Sequence, residues 1–198
     1  SEGTDDDLDE PLLLSMKKRL PWLVILLFLG MFVSSVVGMF EQIVAQIAIL
    51  ICFQSLILDM AGNVGTQSLA VTIRVLTDEA LPMSEKLHLI SKEVRVGLTN
   101  GTLLGVIAFG VVTFYTMVLK HYPLSYSMAV GACVAIALML AMTISSFAGT
   151  AIPMVFDKFG VDPAVASGPL ITTVNDLVAV ISYYGLAWLM LIQVFHLV

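Results

Sequence analysis

The stretch SGPLITTVND, residues 167–176, sets two threonines, an asparagine and an aspartate within five residues of one another in an otherwise apolar run. On a helix Thr172 and Asp176, four apart, share a face, and Thr173 lies alongside. Gly168 and Pro169 come just before them. Proline frees a backbone carbonyl from the helical ladder, and glycine lets backbone come close to whatever passes. The strip offers oxygen ligands without thiolate or imidazole, a set that suits magnesium, calcium or manganese better than zinc or copper. A second stretch has the same character: AGNVGTQSLA, residues 61–70, sets two glycines, an asparagine, a threonine and a glutamine between apolar runs.

The elements that must position these residues lie in a membrane. Of 198 residues 59% are hydrophobic and 12% charged, and the mean hydropathy is +0.99, which excludes an ordinary soluble domain. Backbone polar groups must find partners within the hydrocarbon, so about twenty apolar residues cross it as a helix. The alternating strands of about ten residues that build a membrane barrel are not seen in the sequence. Five spans follow, over residues 22–40, 43–75, 94–119, 126–156 and 163–198. The second would be a rod of roughly 50 Å against a hydrocarbon core of about 30 Å. It must tilt, protrude or break, and Gly62 and Gly65 offer a break. Two interrupted, polar helices at membrane depth, the second and the fifth, read as walls of a water-filled pathway.

Three carboxylates are read as lying inside the membrane: Glu41 close to the outer end of the first span, Asp59 in the second and Asp176 in the fifth. A carboxylate inside a membrane is costly and marks a pathway or a paired structural site. Asp176 lies 14 residues after Asp162, about 21 Å along a helix and so near the bilayer midplane. The structural alternative is an aspartate hydrogen-bonded between helices. Asp59 either faces the same cavity or bonds to a neighbouring span. Glu41 either concentrates cations at a mouth or is a solvated helix end.

Other features are read as scaffolding. Gly97, Gly101 and Gly105 recur every four residues, the spacing that lets two membrane helices approach closely, and Asn100 beside them fits an interhelical hydrogen bond. Cys52 and Cys133 sit inside spans as small hydrophobes, with no disulfide expected. His88, His121 and His196 are too scattered for a metal cage. Residues 1–19 read as an acidic cytoplasmic tail or linker remnant, with six acidic side chains in the first ten positions, and residues 20–198 as the transmembrane domain. With the N-terminus inside, eight basic residues fall on the cytoplasmic side and only Lys120 outside. The expectation is a multi-pass protein of the cell membrane with a cytoplasmic N-terminus and an external C-terminus.

The segments DMAGNVGTQSLAVTIR (59–74) and GVDPAVASGPLITTVNDL (160–177), in this order and among five spans, resemble the membrane domain of the MgtE family of magnesium channels and transporters. The resemblance covers about residue 20 to the C-terminus. It implies a homodimer in the bilayer with a pore at the two-fold axis, lined by the second and fifth spans. The family's pore aspartate falls on Asp176, and its glycine-asparagine turn on Gly62, Asn63 and Gly65. Its ion is Mg2+, with Ca2+ or Mn2+ passed by some members. Typical bacterial members carry tandem CBS domains ahead of the first span. Here only about twenty residues precede it, so a cytoplasmic regulatory domain is expected to be absent from this chain, whether it is an excised domain or a short form.

The implied mechanism is uptake of a hydrated ion. Magnesium sheds water reluctantly and is held by one or two carboxylates with several waters kept. Around it the carbonyls near Gly62, Asn63 and Ala166, with Thr172, Thr173 and the Asn175 amide, would accept hydrogen bonds from the water shell, with Asp176 as the carboxylate. Glu41 and Asp59 remain as a possible cation mouth or second site. A doubly charged ion gains about 4.6 kcal/mol crossing 100 mV, so inward flow needs no coupling ion. A proton- or sodium-coupled exchanger is the alternative, since midplane carboxylates also relay protons. No enzymatic role and no nucleic-acid partner are expected. An intramembrane aspartyl protease could draw on Asp59 and Asp176, but the Gly-x-Gly-Asp pattern of those enzymes is missing. A purely structural protein would leave the oxygen strip unexplained.

Overall fold

Small residues recur along the run from Leu124 to Lys158, and a helix with small side chains on several faces can be approached from several sides. That helix is the centre of the fold. The computed structural model describes residues 11–40, 45, 48–78, 82–160 and 163–194. Helix α1 is Leu12–Met39. A 3-10 turn, Ala48–Leu50, leads into α2, Ile51–Asp78. Helix α3, Met83–Phe114, is continued by a π-helical turn, Tyr115–Leu119. Helix α4 is Leu124–Lys158, and α5, Pro163–Ala187, runs on into a π-helical segment, Trp188–Val194. Among the described residues the fold is all-helical, with five helices long and apolar enough to cross a membrane.

Helix α4 packs against α2, α3 and α5, and α2 also packs against α5. The core forms where α2, α4 and α5 meet, from Ile57, Val130, Val134, Leu138, Val180 and Tyr183. Helix α1 leans on α5, and none of its residues is buried. The α3–α4 pair is set by the expected glycines. A methyl group at Gly101 would stand 2.9 Å from the Met139 Cα, and one at Gly105 would stand 2.9 Å from the Ala135 carbonyl oxygen. The two backbones therefore touch along that stripe.

Four features differ from expectation, two interruptions and two helix starts. Helix α2 is continuous through Gly62 and Gly65, and α5 through Gly168 and Pro169, so neither expected interruption is present. Pro169 sits in the second turn of α5, past the four N–H groups that a helix start leaves unpaired, so it removes one ladder bond without ending the helix. The irregular turns fall instead at Ala48–Leu50, before α2, and at Trp188–Val194, after α5. Helix α1 begins at Leu12, because LLLSMKKRL is built of strong helix formers that continue the apolar run. Helix α3 begins at Met83, ahead of its apolar stretch, because Leu89, Glu93 and Gly97 already repeat every four residues on the face turned to the bundle.

Candidate functional site

Helix α2 has its polar side turned outward. Asp59, Asn63, Thr66, Ala70 and Arg74 follow one another at three- and four-residue steps and are all exposed, with Gln67 beside them. The opposite side, Ile57, Ala61, Val64, Ser68 and Thr72, is buried against the bundle. In a membrane protein this is the reverse of a lipid-facing helix, which would put its apolar side chains outward. The Asn63 side chain borders a groove of about 460 Å³, shared with Gln67 of α2, Asn100 and Leu103 of α3, and Met142 of α4.

Helix α5 brings the second strip to the same depth, and the register is fixed at two levels. Toward the start of α2, the Tyr183 hydroxyl donates to the Leu50 carbonyl at 2.9 Å and the Tyr184 hydroxyl donates to Gln54 Oε1 at 2.6 Å. Two turns and more further along, Asn175 lies fully buried against Gly65. A methyl group at Gly65 would overlap the Asn175 amide, and one at Gly149 would overlap the Gly65 carbonyl. The backbones of α2 and α4 and the Asn175 side chain of α5 converge at Gly65, so this glycine is a crossing point of the three helices and not the predicted break. Gly62 and Asn63 lie within a turn of Gly65, as Thr172, Thr173 and Asp176 do of Asn175. The contact sets the two strips side by side.

The sequence-predicted residues sort accordingly. Asp176 and Thr173 are partly exposed, while Thr172 is exposed and donates from its hydroxyl to the Gly168 carbonyl at 3.2 Å. Asn63 and Asp59 are exposed on α2. The Gly62 and Asn63 carbonyls both accept the Thr66 hydroxyl at 2.9 Å within an intact helix, so the outward chemistry of α2 belongs to side chains. Asn175 is wholly buried, and neither atom of its amide has a hydrogen-bond partner among the described residues. Ala166 lies in the first turn of α5. Glu41 falls outside the described residues. Among the described residues no three histidine, cysteine, aspartate or glutamate side chains converge as a metal cage.

One buried carboxylate was missed. Glu93 of α3 is only 6% exposed and accepts the Ser68 hydroxyl of α2 at 3.0 Å, while Ser68 also lies 3.3 Å from the Ser146 hydroxyl of α4. Three helices are joined there by side-chain oxygens. The signal was present in the sequence, because Glu93 stands four residues before Gly97 in the glycine stripe.

Residues 54–186 match the profile of the MgtE family of divalent cation transporters. The chain belongs to the MgtE family. It is 41% identical over 186 residues to the magnesium transporter MgtE of Enterococcus faecalis, covering 93% of this chain and 39% of that protein. Identity to the MgtE magnesium transporter of Bacillus subtilis is 36% over 187 residues, 94% of this chain and 40% of the relative. That of Thermus thermophilus is 31% identical over 173 residues, 87% of this chain and 36% of the relative. The chain thus spans about two fifths of the length of these MgtE proteins. The matched region includes α2 through Ala187 of α5 almost entirely, and so both strips. With five helices among the described residues long and apolar enough to cross a membrane, this member of the family is a multi-pass membrane protein.

Proposed function

We propose that two copies of this chain form a pathway for Mg2+ across the membrane, with Asp176 as the carboxylate nearest the passing ion. The observation that carries the reading is the outward polar face of α2, Asp59, Asn63 and Thr66, held beside Thr172 and Asp176 of α5 by the Gly65–Asn175 contact. Exposed polar side chains at membrane depth need water or a partner around them. A second copy related by a two-fold axis would enclose a wet space between two such faces. The ion is cargo. It keeps most of its water, and Asn63, Thr172 and Thr173 accept hydrogen bonds from that shell while Asp176 balances charge. The backbone near Gly62 and Ala166 flanks the route, and Asp59 lies one turn from Asn63 on the same face. The buried Asn175 acts first by holding α5 on α2. The same pathway would admit Ca2+ or Mn2+ to the extent that their shells fit.

A cytoplasmic N-terminus is supported by the excess of basic residues near it, Lys17, Lys18 and Arg19, and on the same side at the facing ends of α2 and α3, Arg74, Lys86, Lys92 and Arg95, and at the C-terminal end of α4, Lys158. The membrane potential then drives uptake directly. The test is Mg2+ uptake into proteoliposomes under a negative-inside potential, comparing the native chain with Asp176→Asn. Potential-dependent uptake that is lost in the variant is the expected result. Equal uptake by both would remove Asp176 from the mechanism. Uptake that requires an imposed proton or sodium gradient would assign the chain to coupled exchange instead.

A further inference from the structure

We infer that α3 carries a binding site for an anionic phospholipid, its headgroup on Lys92 and Arg95 and an acyl chain in the cleft between α3 and α4. Two observations at different depths on one helix lead there. At the start of α3, His88, Ser91, Lys92, Arg95, Thr99 and Asn100 line a groove of about 440 Å³ on the side turned away from the buried stripe. All six are exposed. The nearby Lys86 is committed to Asp157, at 2.8 Å. Lys92 and Arg95 have no such ion pair among the described residues, and Glu93 between them points inward to Ser68. Glu85 lies in the first turn, about two turns before Lys92 along the helix. The face is therefore a cationic patch at the membrane surface, where anionic lipid accumulates around basic side chains.

The second observation lies just beyond. Thr102, Gly105, Val106 and Phe109 of α3, with Ala132 and Met139 of α4, border an almost wholly apolar cleft of about 300 Å³. It exists because Gly105 draws α4 close while Val106, 69% exposed, stands out as its rim. Steps of three and four residues carry one stripe from Lys92 through Arg95, Thr99 and Leu103 to Val106. The distance from Arg95 to Val106 is about 16 Å along the helix, close to half of a hydrocarbon core about 30 Å thick. One phospholipid lying along α3 thus meets cations at its phosphate and an apolar cleft at its chain. Charge complementarity selects an anionic lipid over a zwitterionic one.

The test is native mass spectrometry of the purified chain equilibrated with equal amounts of phosphatidylglycerol and phosphatidylcholine of the same chains. The expected result is retention of phosphatidylglycerol in preference by about thirtyfold, the attraction of two basic side chains at a membrane surface. The doubly substituted Lys92→Gln, Arg95→Gln chain should lose that preference while keeping its circular-dichroism melting profile. Glycerol 3-phosphate should not displace the bound lipid, and dihexanoyl phosphatidylglycerol should be retained far less than the long-chain lipid. Equal retention of the two headgroups by the native chain would overturn the site, as would an unchanged preference in the double variant. Displacement by glycerol 3-phosphate would overturn the lipid in favour of a free phosphate. An interchain disulfide formed readily by Val106→Cys in membranes would show that a second copy covers this face and would overturn it too. None of these readouts depends on ion transport, so failure of the proposed pathway leaves them interpretable.

Discussion

Replacing Gly149 by alanine should loosen the helix on which the proposed pathway depends. The added methyl group would lie 3.0 Å from the Gly65 carbonyl carbon and 3.2 Å from its Cα, and nearer still to the carbonyl oxygen. Carbon pairs settle at about 3.5 Å or more, so α2 has to recede from α4 by about 0.5 Å at least. The neighbour is backbone and cannot turn aside. Overpacking of this kind costs about 1–3 kcal/mol, and the upper half of that range applies here. Alanine recovers about 0.5–1 kcal/mol of it through its better helix propensity. A net loss of about 1–2.5 kcal/mol is expected. Gly110 supplies the control, because a methyl group there meets nothing within 4 Å. Gly110→Ala should be neutral or slightly stabilising. Both variants can be measured by denaturation in mixed micelles followed by far-ultraviolet circular dichroism, and by Mg2+ uptake in proteoliposomes. Uptake should fall in Gly149→Ala, since Asn63 and Asp59 move with α2, and stay near native in Gly110→Ala. If Gly149→Ala were as stable as the native chain, or if Gly110→Ala lost as much, the close crossing at Gly65 would not be what holds α2.

Three further outcomes are expected. Gly62 has open space where a methyl group would go, so Gly62→Ala should leave denaturation unchanged; a several-fold drop in uptake would place its backbone beside the ion, and native uptake would move it out of the route. Glu93→Leu removes the acceptor of the Ser68 hydroxyl and should cost about 1–3 kcal/mol in the same denaturation assay, with Glu93→Gln, which keeps an oxygen, losing clearly less; equal losses would mean that packing and not the hydrogen bond matters there. The Lys86–Asp157 pair is partly exposed, with side-chain exposures of 19% and 38%, so Lys86→Ala should cost no more than about 1 kcal/mol and less at high salt, and a salt-independent loss would contradict a surface ion pair.

The spans were legible because twenty-residue apolar runs admit few other readings, and Asp176 stands out as a candidate because a carboxylate in such a run is rare. What the sequence hid was which glycine serves which purpose. Gly62 and Gly65 both invite a break when read along one chain, since glycine weakens any helix considered alone. Gly65 is instead required from outside: α4 brings Gly149 and α5 brings Asn175 to the same point, and no residue larger than glycine fits at that crossing. That information lies in residues 84 and 110 positions away in the sequence, and no local pattern contains it. Glu93 was hidden for the converse reason. Its neighbours Lys92, Arg95 and His88 make the segment read as a solvated connection, yet its spacing to Gly97 places it on the buried face, where Ser68 answers it. The two polar strips could be found by composition, but their alignment could not. It follows from the tyrosine hydroxyls at one end of the α2–α5 pair and the glycine–asparagine contact further along, and these determine that Asn63 and Asp176 lie at one depth.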